Sequence, residues 1–216
     1  VGMVSREDAN NYYIDLGRAH GVLPIKELIP GESITMGSSI KVYVTKIEDT
    51  GKGPMILLSR SHYGFVKRLF ELEVPELKDG LVKLYSVARD AGSRSKVAVY
   101  SDNSKIDAIG ACIGEKSARI MRIMKELGGE KIDIILYDKD PATFIKNALS
   151  PAKNVNVIVT DPKNNVALAV AEGEQLSLAI GKKGQNVRLA AKLTRFRIDV
   201  KTKEELKELG INISFE

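Results

Sequence analysis

Cysteine, histidine and tryptophan are scarce in this sequence of 216 residues, which has one cysteine, two histidines and no tryptophan. The single Cys112 excludes a framework of disulfides and fits a reducing compartment. His20 and His62 are isolated from each other and from Cys112, so no metal-binding cluster is indicated. No serine, histidine and aspartate are ordered as a catalytic triad would require. We therefore expect a binding protein without metal or cofactor, not an enzyme.

Long apolar runs are also missing. None approaches the ~20 residues that a helix needs to span a bilayer, and the chain does not open with a signal-peptide pattern. We expect a cytoplasmic protein that does not bind membranes. A hydrophobic content of 44% allows a proper core, and the length suits two or three small domains. The first residue is Val1 rather than Met, which we interpret as the start of a piece of a longer protein.

The positive charge of the chain is concentrated near its end. Of the net charge of +5, residues 141–216 carry +4, from 12 basic and 8 acidic side chains. Within them, the stretch AIGKKGQNVRLAAKLTRFRID at 179–199 has no carboxylate before its last residue. A local excess of lysine and arginine indicates a polyanion partner, although a solvated surface would also account for it.

Residues 1–60 show short alternating stretches separated by proline and glycine, which is typical of strands joined by turns. We predict a small all-β barrel of the oligonucleotide-binding (OB) type. Tyr12 or Tyr13, Tyr43 and Arg60 are the residues of this barrel that we consider for contact with RNA, because such barrels read RNA with exposed aromatic side chains.

Helical spacing begins near Ser61, and one order of elements then occurs twice: helix, strand, strand, helix, helix, strand. Ile113-Gly114 corresponds to Ile180-Gly181, and Lys116 to Lys183, at an offset of 67. A period of this length indicates a duplicated domain. We place the two copies at 61–139 and 140–216, and we expect them to pack rigidly because no flexible linker separates them.

A glycine loop between two helices is the chemical feature of each copy. Glycines allow a positive φ and a close approach of a sugar-phosphate backbone, and the N-terminus of the next helix favours phosphate. For the second copy the candidate RNA-binding residues are Gly181, Lys182, Lys183, Gly184, Gln185, Asn186, Arg188 and Lys192. For the first copy they are Gly114, Glu115, Lys116, Ser117, Arg119 and Arg122.

The first copy departs from this pattern, because Ser117 replaces the second glycine and Glu115 is acidic. We expect Ser117 to cap the following helix, and the phosphate clamp to be weaker, with partial compensation from Arg119 and Arg122. A nucleotide-binding P-loop is a rival interpretation of GACIGEKS, but the spacing does not match G-x-x-x-x-G-K-[ST] and a helix rather than a strand precedes the loop.

The G-x-x-G loop in this order of elements is similar to the type II KH domain, whose loop clamps about four nucleotides of single-stranded nucleic acid. An S-one-type OB barrel followed by two such domains resembles the NusA family of transcription elongation and termination factors. The strings LSRSHYGFVKRLFELEVPEL, IGACIGEKSARI and QLSLAIGKKGQNVRLAAKLT carry the resemblance, which covers nearly the whole chain from about Gly17.

This resemblance implies a monomeric factor that binds single-stranded nascent RNA beside RNA polymerase and other elongation or termination factors. It implies a role in pausing, termination and antitermination. The family also carries an N-terminal polymerase-binding domain, for which this sequence has no counterpart. An alternative is a KH and OB accessory module of an RNA-decay or translation protein, but in polynucleotide phosphorylase the KH domain is single and precedes the barrel. A purely structural adaptor is the other alternative, and the intact loop at 181–184 argues against it.

Overall fold

In a computed structural model, which describes residues 1–215, a β-sheet domain is followed by two α+β domains of the same topology. This is the predicted multi-domain architecture of an OB barrel and two KH domains. No helix among the described residues is both long enough and apolar enough to cross a membrane.

The barrel is a six-stranded sheet whose strands follow the order β4-β1-β2-β3-β6-β5. All neighbours are antiparallel except β3 and β6, which run parallel. Its core contains Val4, Ile14, Leu23 and Leu58. The strands β1 to β6 span Gly2–Glu7, Asn11–Asp15, His20–Pro24, Ser39–Ile40, Tyr43–Thr50 and Gly53–Ser59.

The first KH domain packs its helices on one face of a three-stranded sheet, in which β8 lies between antiparallel β7 and parallel β9. Its core includes Phe65, Phe70 and Cys112. Burial raises the pKa of the Cys112 thiol to about 12, as expected of a packing residue. In chain order the elements are α1 Tyr63–Glu73, α2 Pro75–Lys78, β7 Lys83–Asp90, β8 Arg94–Tyr100, α3 Ala108–Ile113, α4 Ala118–Glu126 and β9 Lys131–Leu136.

The second KH domain repeats this plan, and Asp140 caps its first helix, since Asp140 Oδ2 accepts a bond from the Thr143 amide at 3.1 Å. The sheet again has its middle strand, β11, between antiparallel β10 and parallel β12. Its elements are α5 Pro141–Ala148, β10 Asn156–Asp161, β11 Val166–Val170, α6 Gly173–Ile180, α7 Gln185–Thr194, β12 Arg197–Lys201 and α8 Lys203–Glu208.

The last helix, α8, was not expected from the sequence. It begins at a capping box, in which Thr202 and Glu205 each bind the other's backbone amide. Its buried Leu206 packs against Leu168 and Val170 of β11. These residues form a small apolar cluster separate from the main core of the domain, so α8 covers a second face of the sheet.

Arg60 joins the barrel to the first KH domain. Its guanidinium donates to Glu32 of the barrel and to Glu126 Oε1 of α4, the latter at 3.2 Å, and its side chain is only 5% exposed. Beside it, the Arg89 guanidinium pairs with the fully buried Glu130 at 3.0 Å and donates to the Arg60 and His62 carbonyls. Because these bonds satisfy charged groups inside the protein, they hold the barrel in a defined position.

The two KH domains share one apolar core. Ala88, Ala98 and Ile135 of the first sheet pack with Phe144 of α5 and Leu193 of α7. Polar bonds cross the same interface. The Ser86 hydroxyl donates to the Leu193 carbonyl at 2.9 Å, and Lys96 Nζ donates to the Ser150 carbonyl at 2.7 Å. Burial lowers the pKa of the Lys96 ammonium, while Asp133 opposes the shift.

We therefore expect the two KH domains to move as one body in solution. Separating them would expose the shared apolar core to water, which costs free energy. A linker of a few residues gains too little freedom on separation to offset that cost. NMR relaxation of backbone amides should give one rotational correlation time for residues 61–139 and 140–208. Two independent correlation times would contradict this prediction.

Candidate nucleic-acid interface

The second glycine loop turns sharply between α6 and α7 through three residues with positive φ. These are Gly181 at 76°, Lys183 at 54° and Gly184 at 73°. A Cβ atom added at Gly181 would lie 2.7 Å from the Asn186 Cβ and 2.8 Å from the Asn186 nitrogen, so this position has no room for a side chain. The turn leads directly into α7, and the positive end of a helix dipole is suited to phosphate.

The first loop has the same backbone shape. Gly114, Lys116 and Ser117 have φ values of 77°, 51° and 61°, and the ψ values of Gly114 and Gly181 are 170° and 172°. Ser117 therefore adopts the left-handed conformation of its counterpart Gly184. The expected capping bond is not formed, because the Ser117 side chain makes no bond to the start of α4. The first loop thus keeps the clamp geometry at the cost of a strained serine.

Charge distinguishes the two loops more than backbone shape does. Lys182 and Lys183 are exposed and form no ion pair with any residue from 1 to 215. Lys192 is exposed in the same way, and Arg188 lies 3.9 Å from Asp90 and donates to the Lys183 carbonyl. The second loop and the adjoining turns of α7 therefore present an open positive surface.

The arginines beside the first loop are already engaged. Arg119 pairs with Glu76 at 2.7 Å and also donates to the Ala111 carbonyl, while Arg122 pairs with Glu73 at 2.7 Å. We expected these arginines to compensate for Glu115, but their charges are largely balanced within the domain. A phosphate would have to compete with the carboxylates for them.

Two further residues of the predicted RNA-binding set hold the second loop in place. Asn186 is buried, and its amide nitrogen donates to the Leu149 and Ala179 carbonyls, both at 3.0 Å. Gln185 reaches the first KH domain, where it donates to Asp90 at 2.7 Å and to the Ser93 hydroxyl at 2.8 Å. The structure gives Asn186 a supporting position rather than a surface one.

A cleft of about 470 Å³ opens beside the second loop, at the boundary of the two KH domains. Arg94 and Lys131 line it from the first domain, and Leu178 and Lys182 line it from the second. Glu174 also lines the cleft, and Arg94 is paired with Asp133 at 2.8 Å, so its lining is mixed in charge.

The aromatic and basic residues considered in the barrel are mostly occupied within the protein. Tyr43 stacks on His62 with ring centroids 5.1 Å apart, and Arg60 is buried in the interface described above. Tyr13 lies under the Arg6 guanidinium and donates its hydroxyl to Asp8, and Tyr12 packs against the barrel core. Both Tyr43 and Arg60 contribute to the junction with the first KH domain, and the burial of Arg60 leaves it unavailable to RNA.

Three family models match consecutive parts of the chain. Residues 2–59 match the S1 RNA binding domain, residues 60–137 the NusA-like first KH domain, and residues 141–208 the NusA-like second KH domain. A barrel of this type, followed by two KH domains, defines a class of multi-domain RNA-binding proteins.

Within that class, the chain belongs to the NusA family. It is 51% identical over 211 residues to the transcription termination/antitermination protein NusA of Halalkalibacterium halodurans, covering 98% of this chain and 55% of that protein. The protein of the same name from Bacillus subtilis is 50% identical over 211 residues, covering 98% and 57%. That from Thermus thermophilus is 49% identical over 199 residues, covering 92% and 51%. The chain spans about half the length of these relatives.

Proposed function

We propose that this chain binds single-stranded RNA through the backbone clamps of its two KH domains, and that the second clamp contributes most of the affinity. The open charge of Lys182 and Lys183 beside the start of α7 is the observation that carries this proposal. Glycine loops that present amides and lysines to a passing backbone hold several phosphates without reading their sequence.

The proposed biological role follows from the family. The chain acts on nascent RNA beside RNA polymerase, together with other elongation and termination factors, and so modulates pausing, termination and antitermination. It does so in the cytoplasm, as a monomer, and by binding rather than catalysis. The names of the relatives, which are transcription termination/antitermination proteins, support this role. The order of the barrel and the doubled KH domain favour it over an accessory module of an RNA-decay protein.

Affinity for single-stranded RNA should fall steeply as salt rises, because each neutralised phosphate releases counterions. Fluorescence anisotropy with an RNA of about twelve nucleotides, between 50 and 200 mM salt, measures the slope. If each clamp holds about four nucleotides, RNAs shorter than about eight should bind poorly. Added metal or nucleotide should have no effect.

A duplex of the same sequence is the matched control, because it has the same phosphates without unstacked bases. Equal affinity for the duplex would contradict the single-strand part of the proposal. Binding that is flat with salt would contradict the electrostatic part.

A further inference from the structure

Tyrosines cluster on the first KH domain, at the face that meets the second. Tyr85 of β7 stacks on Tyr137 with ring centroids 3.8 Å apart and ring planes 15° apart. Tyr100 and Phe144 contact the same pair edge-on or tilted, at 5.1 to 6.5 Å. These four rings form the aromatic cluster. Tyr85 is 51% exposed, although Tyr137 covers one face of its ring.

The position of Tyr85 is set by the backbone. The register of β7 against β8 shifts between Leu84 and Ser86, as at a β-bulge, which allows the Tyr85 side chain to lie on the side of Tyr137 and Phe144. Since β7 is an edge strand of its sheet, no further strand within residues 1–215 covers Tyr85. The ring is thus held by its neighbours, and little side-chain entropy would be lost on binding a ligand.

The basic surface of the second clamp leads toward this cluster. The helix α7 runs antiparallel to β7, because Gln185 at its start bonds Asp90 and Leu193 near its end accepts from Ser86. Exposed basic residues follow at helical spacing along α7 and its C-terminal end, and the first of them lies 3.9 Å from Asp90 of β7: Arg188, Lys192 and Arg195. A single-stranded RNA that passes the second loop and follows α7 therefore approaches Tyr85.

We propose that the Tyr85 ring stacks a nucleobase of the single-stranded RNA that leaves the second clamp along the basic face of α7. A line of positive side chains that ends at an exposed, fixed aromatic ring is the arrangement by which proteins hold single strands, phosphates on the cations and bases on the rings. The inference rests on the proposed RNA binding, and it adds a base contact outside the two glycine loops.

The test compares Tyr85→Ala with Tyr85→Phe, which keeps the ring, and with Tyr63→Ala, which removes a similarly exposed tyrosine of α1 that stacks on His62, outside the aromatic cluster. With a single-stranded RNA of about twelve nucleotides, Tyr85→Ala should bind about tenfold more weakly, whereas the other two variants should bind like the parent. Thermal unfolding of each variant shows whether the fold is kept.

A scan with abasic nucleotides separates stacking from a structural effect. Removing the base that stacks on Tyr85 should weaken the parent and leave Tyr85→Ala unchanged at that one position. Equal affinity of Tyr85→Ala and parent, or the same abasic profile in both, would overturn the inference.

The charge-reversal variant Lys182→Asp, Lys183→Asp distinguishes a failure of the stacking proposal from a failure of the proposed RNA binding. If it weakens RNA binding while Tyr85→Ala does not, only the stacking site is wrong. If the parent does not bind single-stranded RNA, both proposals are wrong.

Discussion

Replacing Lys182 and Lys183 by aspartate should lower the affinity for single-stranded RNA by at least about tenfold, or roughly 1.4 kcal/mol. The change turns two positive charges into two negative ones at the point where the RNA backbone passes, so attraction is lost and repulsion is added. Gly181 and Gly184 still form the turn. Since both lysines are exposed and without ion pairs among residues 1–215, stability should hardly change.

Two further variants make this result specific. Glu115→Asp with Lys116→Asp alters the first loop, where one position is already acidic, and should weaken binding less. Lys203→Asp with Lys207→Asp makes the same change in net charge on α8, which covers a different face of the sheet, and should have little effect. A first-loop variant that is folded by circular dichroism and binds worse than the second-loop variant would show that the two sites are ranked wrongly.

Replacing Glu130 by alanine should destabilise the protein by about 3–5 kcal/mol, because it leaves the buried Arg89 guanidinium without its counter-charge. Glu130 also accepts bonds from the Gly92 amide at 2.7 Å and from the Ser95 hydroxyl at 2.8 Å, so three donors lose their acceptor together. Urea unfolding followed by circular dichroism measures the change.

Glu48→Ala is the control, since Glu48 pairs with Lys46 at the surface of the barrel. Removing an exposed pair should cost no more than about 1 kcal/mol. If Glu130→Ala is as stable as Glu48→Ala, the assigned role of the buried pair is wrong.

The features that local sequence determines were predictable. The duplicated loop, the strands between the helices and the cap at Asp140 all depend on residues a few positions apart. The start of α8 also has a local signal, Thr202 followed by Glu205, but it lies beyond the repeated order of elements, so the repeat does not predict this helix.

The features that were missed depend on distant partners. Arg60 is of a residue type that often contacts RNA, but its side chain is bound by Glu32 and Glu126, which lie 28 and 66 residues away in sequence. Asn186 stands in the middle of a basic loop, but its bond to the Leu149 carbonyl spans 37 residues. Whether a polar side chain faces solvent or another domain is decided by tertiary packing, which composition and spacing do not contain.

The middle strands of the two KH sheets, β8 and β11, differ in what they contact. Lys96 and Leu168 occupy equivalent places, since Lys96 pairs in register with Asp133 and Leu168 with Asp199. In the first domain, Lys96 donates to the Ser150 carbonyl of the next domain. In the second domain, Leu168 lies under the chain's own α8. The two KH domains are therefore not interchangeable: the sheet of the first packs against a KH neighbour, whereas the corresponding face of the second sheet is covered by α8. A third copy could not be added by the same docking geometry unless α8 were first displaced.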